Sequence, residues 1–305
     1  MTVGQRRALV VLVVALCVVT ALIWLPARQA GEEGAPQAAF ADREPEDLTR
    51  IALSRGQDAA LVLERSTEGW HITAPQETRA DARRADALAS TIALLQARPA
   101  MERANPADYG LDPQRALRVE ISFEEGAGRT LLVGDPTPVG GGTYVQLDEE
   151  IRVAPGLLGA SVDTTLEALR DRHLWLTTPS EATFVAVEHS GVRLEAVRSD
   201  DGWRDGSGRP LDSDGVDAWL RGLAGLRAVS FGPPPGPLAP RGHIELNAAD
   251  GASEVASVGQ VEGDAAAWWQ GPAQAAPVLL DDGGLGPIEE GVRLLEASSE
   301  QAPPG

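Results

Sequence analysis

The chain contains no lysine: all 26 basic residues among its 305 are arginine. Chemistry that needs a side-chain amine is thereby excluded, namely the phosphate-binding Lys of a P-loop, the strand Lys of a protein kinase, Schiff-base formation and Ser-x-x-Lys acyl transfer. Cysteine is nearly absent. Cys17 stands alone inside an apolar run, so the rest of the chain can form neither a disulfide nor a thiol nucleophile. Histidine is sparse, and His71, His173, His189 and His243 share no metal-ligand spacing. There is no Gly-x-Ser-x-Gly elbow, and no Gly-x-Gly-x-x-Gly opens a helix after a strand. Positive charge is also short, 26 basic against 45 acidic residues for a net −19, and such a surface repels nucleic acid. No catalytic, cofactor-binding or metal residue is assigned on these grounds. The expectation is a non-enzymatic protein with no nucleic-acid partner.

What the chain does have is a run of 18 uncharged residues, ALVVLVVALCVVTALIWL, from Ala8 to Leu25. At a helical rise of about 1.5 Å per residue it covers roughly 27 Å, close to the hydrocarbon thickness of a bilayer. Its 12 Leu, Ile and Val residues favour insertion by about 4 to 7 kcal/mol. Arg6 and Arg7 precede the run and Glu32 and Glu33 follow it, which puts the N-terminus on the cytoplasmic side, with Trp24 at the outer headgroup level. A cleaved signal peptide is the competing reading. It fits less well, because the apolar centre is long and small residues at the cleavage positions are hard to place. A lipoprotein reading through Cys17 is weaker, since Leu16 precedes the Cys. The expected organisation is a cytoplasmic stub at 1–7, a transmembrane helix at 8–25 and a flexible tether at 26–47, with the bulk of the chain periplasmic or extracellular.

Beyond the tether the pattern changes to short apolar runs cut by turn signals: LTRIALSR from Leu48, AALVLERS, and Glu68-Gly69-Trp70-His71-Ile72. Residues 80–98 carry helical spacing at Ala85, Leu88, Ile92 and Leu95, with Asp81 as cap. Strands resume at ALRVEISF, RTLLVG, TYVQL and IRVAP, and a helix is expected around 164–170. The remainder repeats this order. An offset of 133 maps Ile51 onto Phe184, Leu61 onto Leu194 and Trp70 onto Trp203; 132 maps Leu88 onto Leu220; and 125 maps Ile121 onto Leu246, Gly134 onto Gly259, Tyr144 onto Trp269 and Val153 onto Val278. The fold class is therefore α+β: one N-terminal transmembrane helix, then two tandem related strand-rich domains at 48–177 and 180–298. Each is an antiparallel-type sheet with a packed helix, and a disordered tail follows at 299–305.

Several constellations invite a functional reading. Asp212-Ser213-Asp214-Gly215 resembles the start of a calcium loop, but it lacks the later ligands and directly precedes a helix, where Asp and Ser cap free N–H groups. Gly140-Gly141-Gly142 lies between strands, as a hairpin turn does. Carboxylates are too abundant for a glycosidase-like pair to be picked out. Trp70 and Trp203 read as equivalent core residues. Trp268 and Trp269 are adjacent on one strand and so face opposite ways, which leaves one of them as a candidate partner contact.

Glu-Gly-Trp-His-Ile, then Tyr109-Gly110-Leu111-Asp112-Pro113, Leu-Leu-Val-Gly, Thr-Tyr-Val and the run Leu169-Arg170-Asp171-Arg172-His173-Leu174-Trp175 together resemble a bacterial family known as a domain of unknown function. That resemblance implies a single-span tether and a setting similar to auxiliary components of gliding-motility-type ABC transporters. The expected function is an accessory or scaffold protein of the bacterial inner membrane that binds a cell-envelope partner, such as an ABC transporter complex. The alternatives are an envelope hydrolase using paired carboxylates and a glycan or small-ligand binding module.

Overall fold

A computed structural model describes residues 35–41, 43–99, 105–189, 191–232, 234–262, 266–274, 276–280 and 286–300. The chain divides into two compact units between Leu169 and Arg170.

The strands of the first unit are β1 (Gln37–Ala38), β2 (Leu48–Arg55), β3 (Leu61–Ser66), β4 (Gly69–Ala74), β5 (Thr78–Arg79), β6 (Gln96–Pro99), β7 (Leu117–Phe123), β8 (Arg129–Pro136), β9 (Gly142–Leu147) and β10 (Glu150–Pro155). They form one antiparallel sheet in the order β1-β6-β10-β9-β8-β7-β2-β3-β4-β5. Alternation sets the buried face. In β7, Leu117, Val119, Ile121 and Phe123 are buried while Arg118, Glu120 and Ser122 are not. Helix α1 (Ala82–Ala93) covers that face with Ala85, Leu88, Ala89 and Ile92, the i, i+3, i+4, i+7 set of one helical stripe. Asp81 caps it by accepting from the Arg84 N–H at 3.0 Å. Two short helices, α2 (Leu157–Val162) and α3 (Leu166–Leu169), close the unit. The chain runs outward through β2 to β5, crosses on α1 to the opposite edge as β6, and re-enters at β7 beside β2.

The second unit follows the same path: β11 (Ala182–His189), β12 (Val192–Ser199), β13 (Gly202–Asp205), α4 (Ser213–Gly225), β14 (Leu238–Ala248), β15 (Ser253–Val261), β16 (Ala267–Gln270), β17 (Val278–Leu279) and α5 (Gly286–Glu300). Its sheet order, β13-β12-β11-β14-β15-β16-β17, places β14 beside β11 as β7 lies beside β2. Both central pairs carry a register shift at their start, between Leu48 and Arg50 and between Ala182 and Phe184. Beside each shift a threonine hydroxyl donates across the pair, Thr49 to the Ser122 carbonyl and Thr183 to that of Asn247.

These pairings correct the residue correspondences expected from sequence. Ile51 opposes Ile121 and Val185 opposes Leu246, so Ile51 corresponds to Val185 rather than to Phe184. The caps Asp81 and Asp212 correspond, which sets Leu88 against Trp219 rather than Leu220. Val145 opposite Val133 matches Trp269 opposite Val258, so Tyr144 corresponds to Trp268, not Trp269. Arg152 likewise corresponds to Val278, since each opposes the residue just matched.

The expected boundaries change as well. Residues 37–47 are not tether: β1 pairs with β6, and Phe40 is buried in the core. The run around His173 does the same for the second unit, where His173 bridges Arg227 and Trp175 is buried. That run opens the second unit instead of closing the first. The helix expected at 80–98 ends at Ala93, because residues 96–99 pair with β10 and β1. Helix α5 occupies the stretch before the expected tail and continues to Glu300, while 301–305 lie outside the described residues.

The transmembrane helix included in the fold class is corrected: among the described residues, no helix is long and apolar enough to cross a membrane. Arg6, Arg7, Ala8, Trp24 and Leu25, which carried that expectation, lie outside the described residues. The fold described is two antiparallel sheets with five helices.

Candidate functional site

The equivalent tryptophans are fixed by a motif present in both units. The Trp70 indole N–H donates to Asp86 at 3.0 Å, and the Arg65 guanidinium binds the same oxygen at 2.8 Å while lying 5.0 Å from the indole. In the second unit Trp203 donates to Asp217 at 2.8 Å, Arg198 binds that oxygen at 2.6 Å, and its guanidinium is 4.7 Å from the ring. Each indole is buried, at 4% and 1% exposure, so both tryptophans clamp the helix to the sheet and neither offers a ligand platform.

The contact role expected for one of Trp268 and Trp269 is also corrected. They do point to opposite faces of β16, yet both are buried, Trp268 at 5% and Trp269 at 0%. Trp269 lies in the core edge-on to Trp175, with centroids 4.7 Å apart. Trp268 lies over Gly259, where a Cβ would overlap its indole. Neither indole N–H has a hydrogen-bond acceptor.

At the matching place in the first unit the face is open. Gly134 lets the Tyr109 carbonyl approach, since a Cβ there would overlap it, and Tyr109 meets Tyr144 edge-on with centroids 4.6 Å apart. Tyr109-Gly110-Leu111 is held by a 3-10 turn that Asn105 caps and that Gly110 leaves at φ 70°. With a smaller ring than Trp268, Tyr144 leaves a concavity of about 640 Å³, lined also by Gln96, Arg98, Thr137 and the glycine turn. The turn is a hairpin closed on itself: Thr137 donates to the Val139 carbonyl at 2.9 Å, accepts from the Gly142 N–H at 2.9 Å and holds Val139 outward at 87% exposure. Arg98 is exposed and, among the described residues, makes no ion pair. This mixed lining can accept a group with a planar or apolar part and an acceptor for the guanidinium.

Other sequence candidates are placed but not combined. Asp212 accepts from the Gly215 N–H at 3.2 Å and Ser213 from the Trp203 N–H at 2.8 Å, so this stretch caps α4. His71 contacts the Gly69 carbonyl, His173 pairs with Asp171 at 2.5 Å, and His243 meets Ser257. No group of three possible metal ligands occurs among the described residues. Asp135 and Asp163 do share one cleft of about 330 Å³. Each accepts from an arginine, Asp135 from Arg115 at 2.9 Å and Asp163 from Arg55 at 3.2 Å. Both carboxylates thus pair with arginines rather than with each other.

A family model described as Domain of unknown function (DUF4340) matches residues 70–243. No curated protein and no solved structure matches the chain.

Proposed function

The chain belongs to this family of domains of unknown function, and from the geometry of its first unit we propose that it is a non-enzymatic accessory or scaffold protein. It binds a partner protein through the concavity beside Tyr144. The observation that carries this reading is the contrast between two copies of one sheet position. The second unit closes the place with Trp268 at 5% exposure, whereas the first leaves about 640 Å³ under Tyr144 and Arg98. Duplicated sheets that differ at one open position match a scaffold in which one copy binds and the other supports.

A photo-crosslinking residue placed at Val139 in the full chain, expressed in its native cells, tests the proposal. The expected result is a discrete protein adduct that Arg98→Glu abolishes with an unchanged urea midpoint and that Tyr144→Ala abolishes while the chain remains folded. An adduct insensitive to both substitutions would overturn it, and so would cleavage of a wall polymer by the purified chain. The tyrosine lining also favours a small-ligand reading of the same concavity. Saturable titration of soluble glycans against the purified chain, lost in Tyr144→Ala, would replace the protein partner with a glycan.

A further inference from the structure

On the core face of the same sheet, where the β7–β8 and β9–β10 turns meet the segment after β1, lies a second cavity of about 460 Å³. Three arginines from separate parts of the chain line it, Arg43, Arg129 and Arg152, with Asp148 the one acidic residue in the lining among the described residues. We propose that this cavity is a binding site for an oxyanion, a phosphate or carboxylate group carried on a small ligand.

The argument rests on how little of this cationic capacity the protein itself uses. Arg129 binds Asp148 through Nη2, and Arg152 binds Glu150 through Nη2 at 2.6 Å. In both, the Nε–H is buried without an acceptor. Each of these guanidiniums thus makes one ion pair and keeps further N–H donors, on side chains that are 38% and 20% exposed. Arg43 has no carboxylate partner among the described residues. Its guanidinium lies 5.3 Å from the Phe123 ring, against Gly126. Guanidinium forks match phosphate and carboxylate oxygens bidentately, and with Asp148 on Arg129 and Glu150 on Arg152 the local excess is the charge of Arg43. In a chain of net charge −19 this local excess is selective at short range, because salt screens the distant carboxylates.

The second unit shows the alternative outcome. Arg129 opposes Ile121 as Glu254 opposes Leu246, so Glu254 stands in the place of Arg129. It is 3% exposed and accepts the backbone N–H groups of Leu176 and Thr177. Val278 stands in the place of Arg152. There the chain satisfies the position internally, and only the first unit keeps the arginines.

Isothermal titration of the full chain with inorganic phosphate and, separately, with succinate, at matched ionic strength, tests the site. Saturable one-site binding is expected for at least one probe, and whichever binds more tightly assigns phosphate or carboxylate as the source. Arg43→Gln touches no ion pair, so the fold is retained, and binding should weaken about tenfold. Asp148→Asn removes the competing carboxylate and should tighten binding by about threefold. Absence of saturable binding by both probes overturns the proposal. So does equal affinity in the parent chain and Arg43→Gln, which would mark the anion as adventitious.

Discussion

Replacing Asp217 by alanine tests whether the Arg–Trp–Asp motif holds the second unit together. The carboxylate accepts from the Trp203 indole at 2.8 Å and from Arg198 at 2.6 Å. Hydrogen bonds to a charged acceptor contribute about 1.5 to 3 kcal/mol, and here the donor left behind is on a buried ring. The ion pair adds little, about 0.2 to 1 kcal/mol, because both side chains are over a third exposed or nearly so. Alanine returns about 0.5 kcal/mol through its helix propensity, and the contact of Arg198 with the ring survives the substitution. The net expectation is a loss of about 1.5 to 3 kcal/mol. Urea unfolding followed by intrinsic fluorescence suits the measurement, since Trp175, Trp203, Trp219, Trp268 and Trp269 all lie in this unit. Asp217→Asn keeps an acceptor for the indole and should recover about half the loss. Asp86→Ala in the first unit should cost less, because Asp86 is 54% exposed against 34% for Asp217. A change below about 0.5 kcal/mol in Asp217→Ala, or equal losses for the Asn and Ala variants, would refute the assignment.

Two further outcomes follow from the turns. At Asp205 burial pushes the carboxyl up, but hydrogen bonds from Ser207 and Arg209 outweigh it and hold the group at about 2. A depressed carboxyl contributes stability that is complete above its unfolded value near 3.8 and lost as pH falls through the folded one. Urea midpoints of the parent chain should therefore drop between about pH 4 and 2 more than those of Asp205→Asn. The difference is on the order of 1 kcal/mol after discounting for solvent screening at this partly exposed turn, and identical acid profiles would contradict the assignment. In the β9–β10 hairpin, Asp148 and Glu149 both take positive φ, 51° and 68°. Glu149→Gly should raise stability by about 0.5 to 1 kcal/mol, since relief of the left-handed conformation, about 1 to 2 kcal/mol, outweighs the added chain entropy of glycine, about 0.5 to 1 kcal/mol, as a rise in melting temperature would show.

The sequence made the strands legible where alternation and turns agreed. LTRIALSR is β2 from Leu48 to Arg55, and ALRVEISF, RTLLVG, TYVQL and IRVAP all fall on strands. The end of α1 was not legible, because Leu95 and Ala97, both buried, suit a helical stripe and an edge strand equally well. The repeat was visible through Trp70 and Trp203, but away from them the correspondence is displaced by one residue, which sets Tyr144 against Trp268 rather than Trp269. Helix α5 was not legible although Glu289 lies in its first turn and Leu295 reaches the core, because Gly286, Pro287 and Gly291 interrupt its apolar pattern. The three-arginine cavity had no local signature at all. Arg43, Arg129 and Arg152 converge only through strand pairing, which spacing along the chain does not encode.

Exchange of Tyr144 and Trp268 alters one sheet position in two contexts. Both residues stand opposite a glycine-bearing strand, and both glycines permit close approach of a backbone carbonyl, that of Tyr109 or that of Ala239 on the neighbouring β14. What differs is the ring. An indole at 5% exposure fills its place even at the expense of a buried N–H without an acceptor, whereas the phenol meets Tyr109 edge-on and leaves space beside it. Burying an unsatisfied donor is unfavourable, so the closure in the second unit comes from packed area rather than polar complementarity. The open place in the first unit keeps its polar groups, Gln96, Arg98 and Thr137, around the rim. One copy thus closes the position by packing and the other keeps it accessible, as the single binding face proposed above requires.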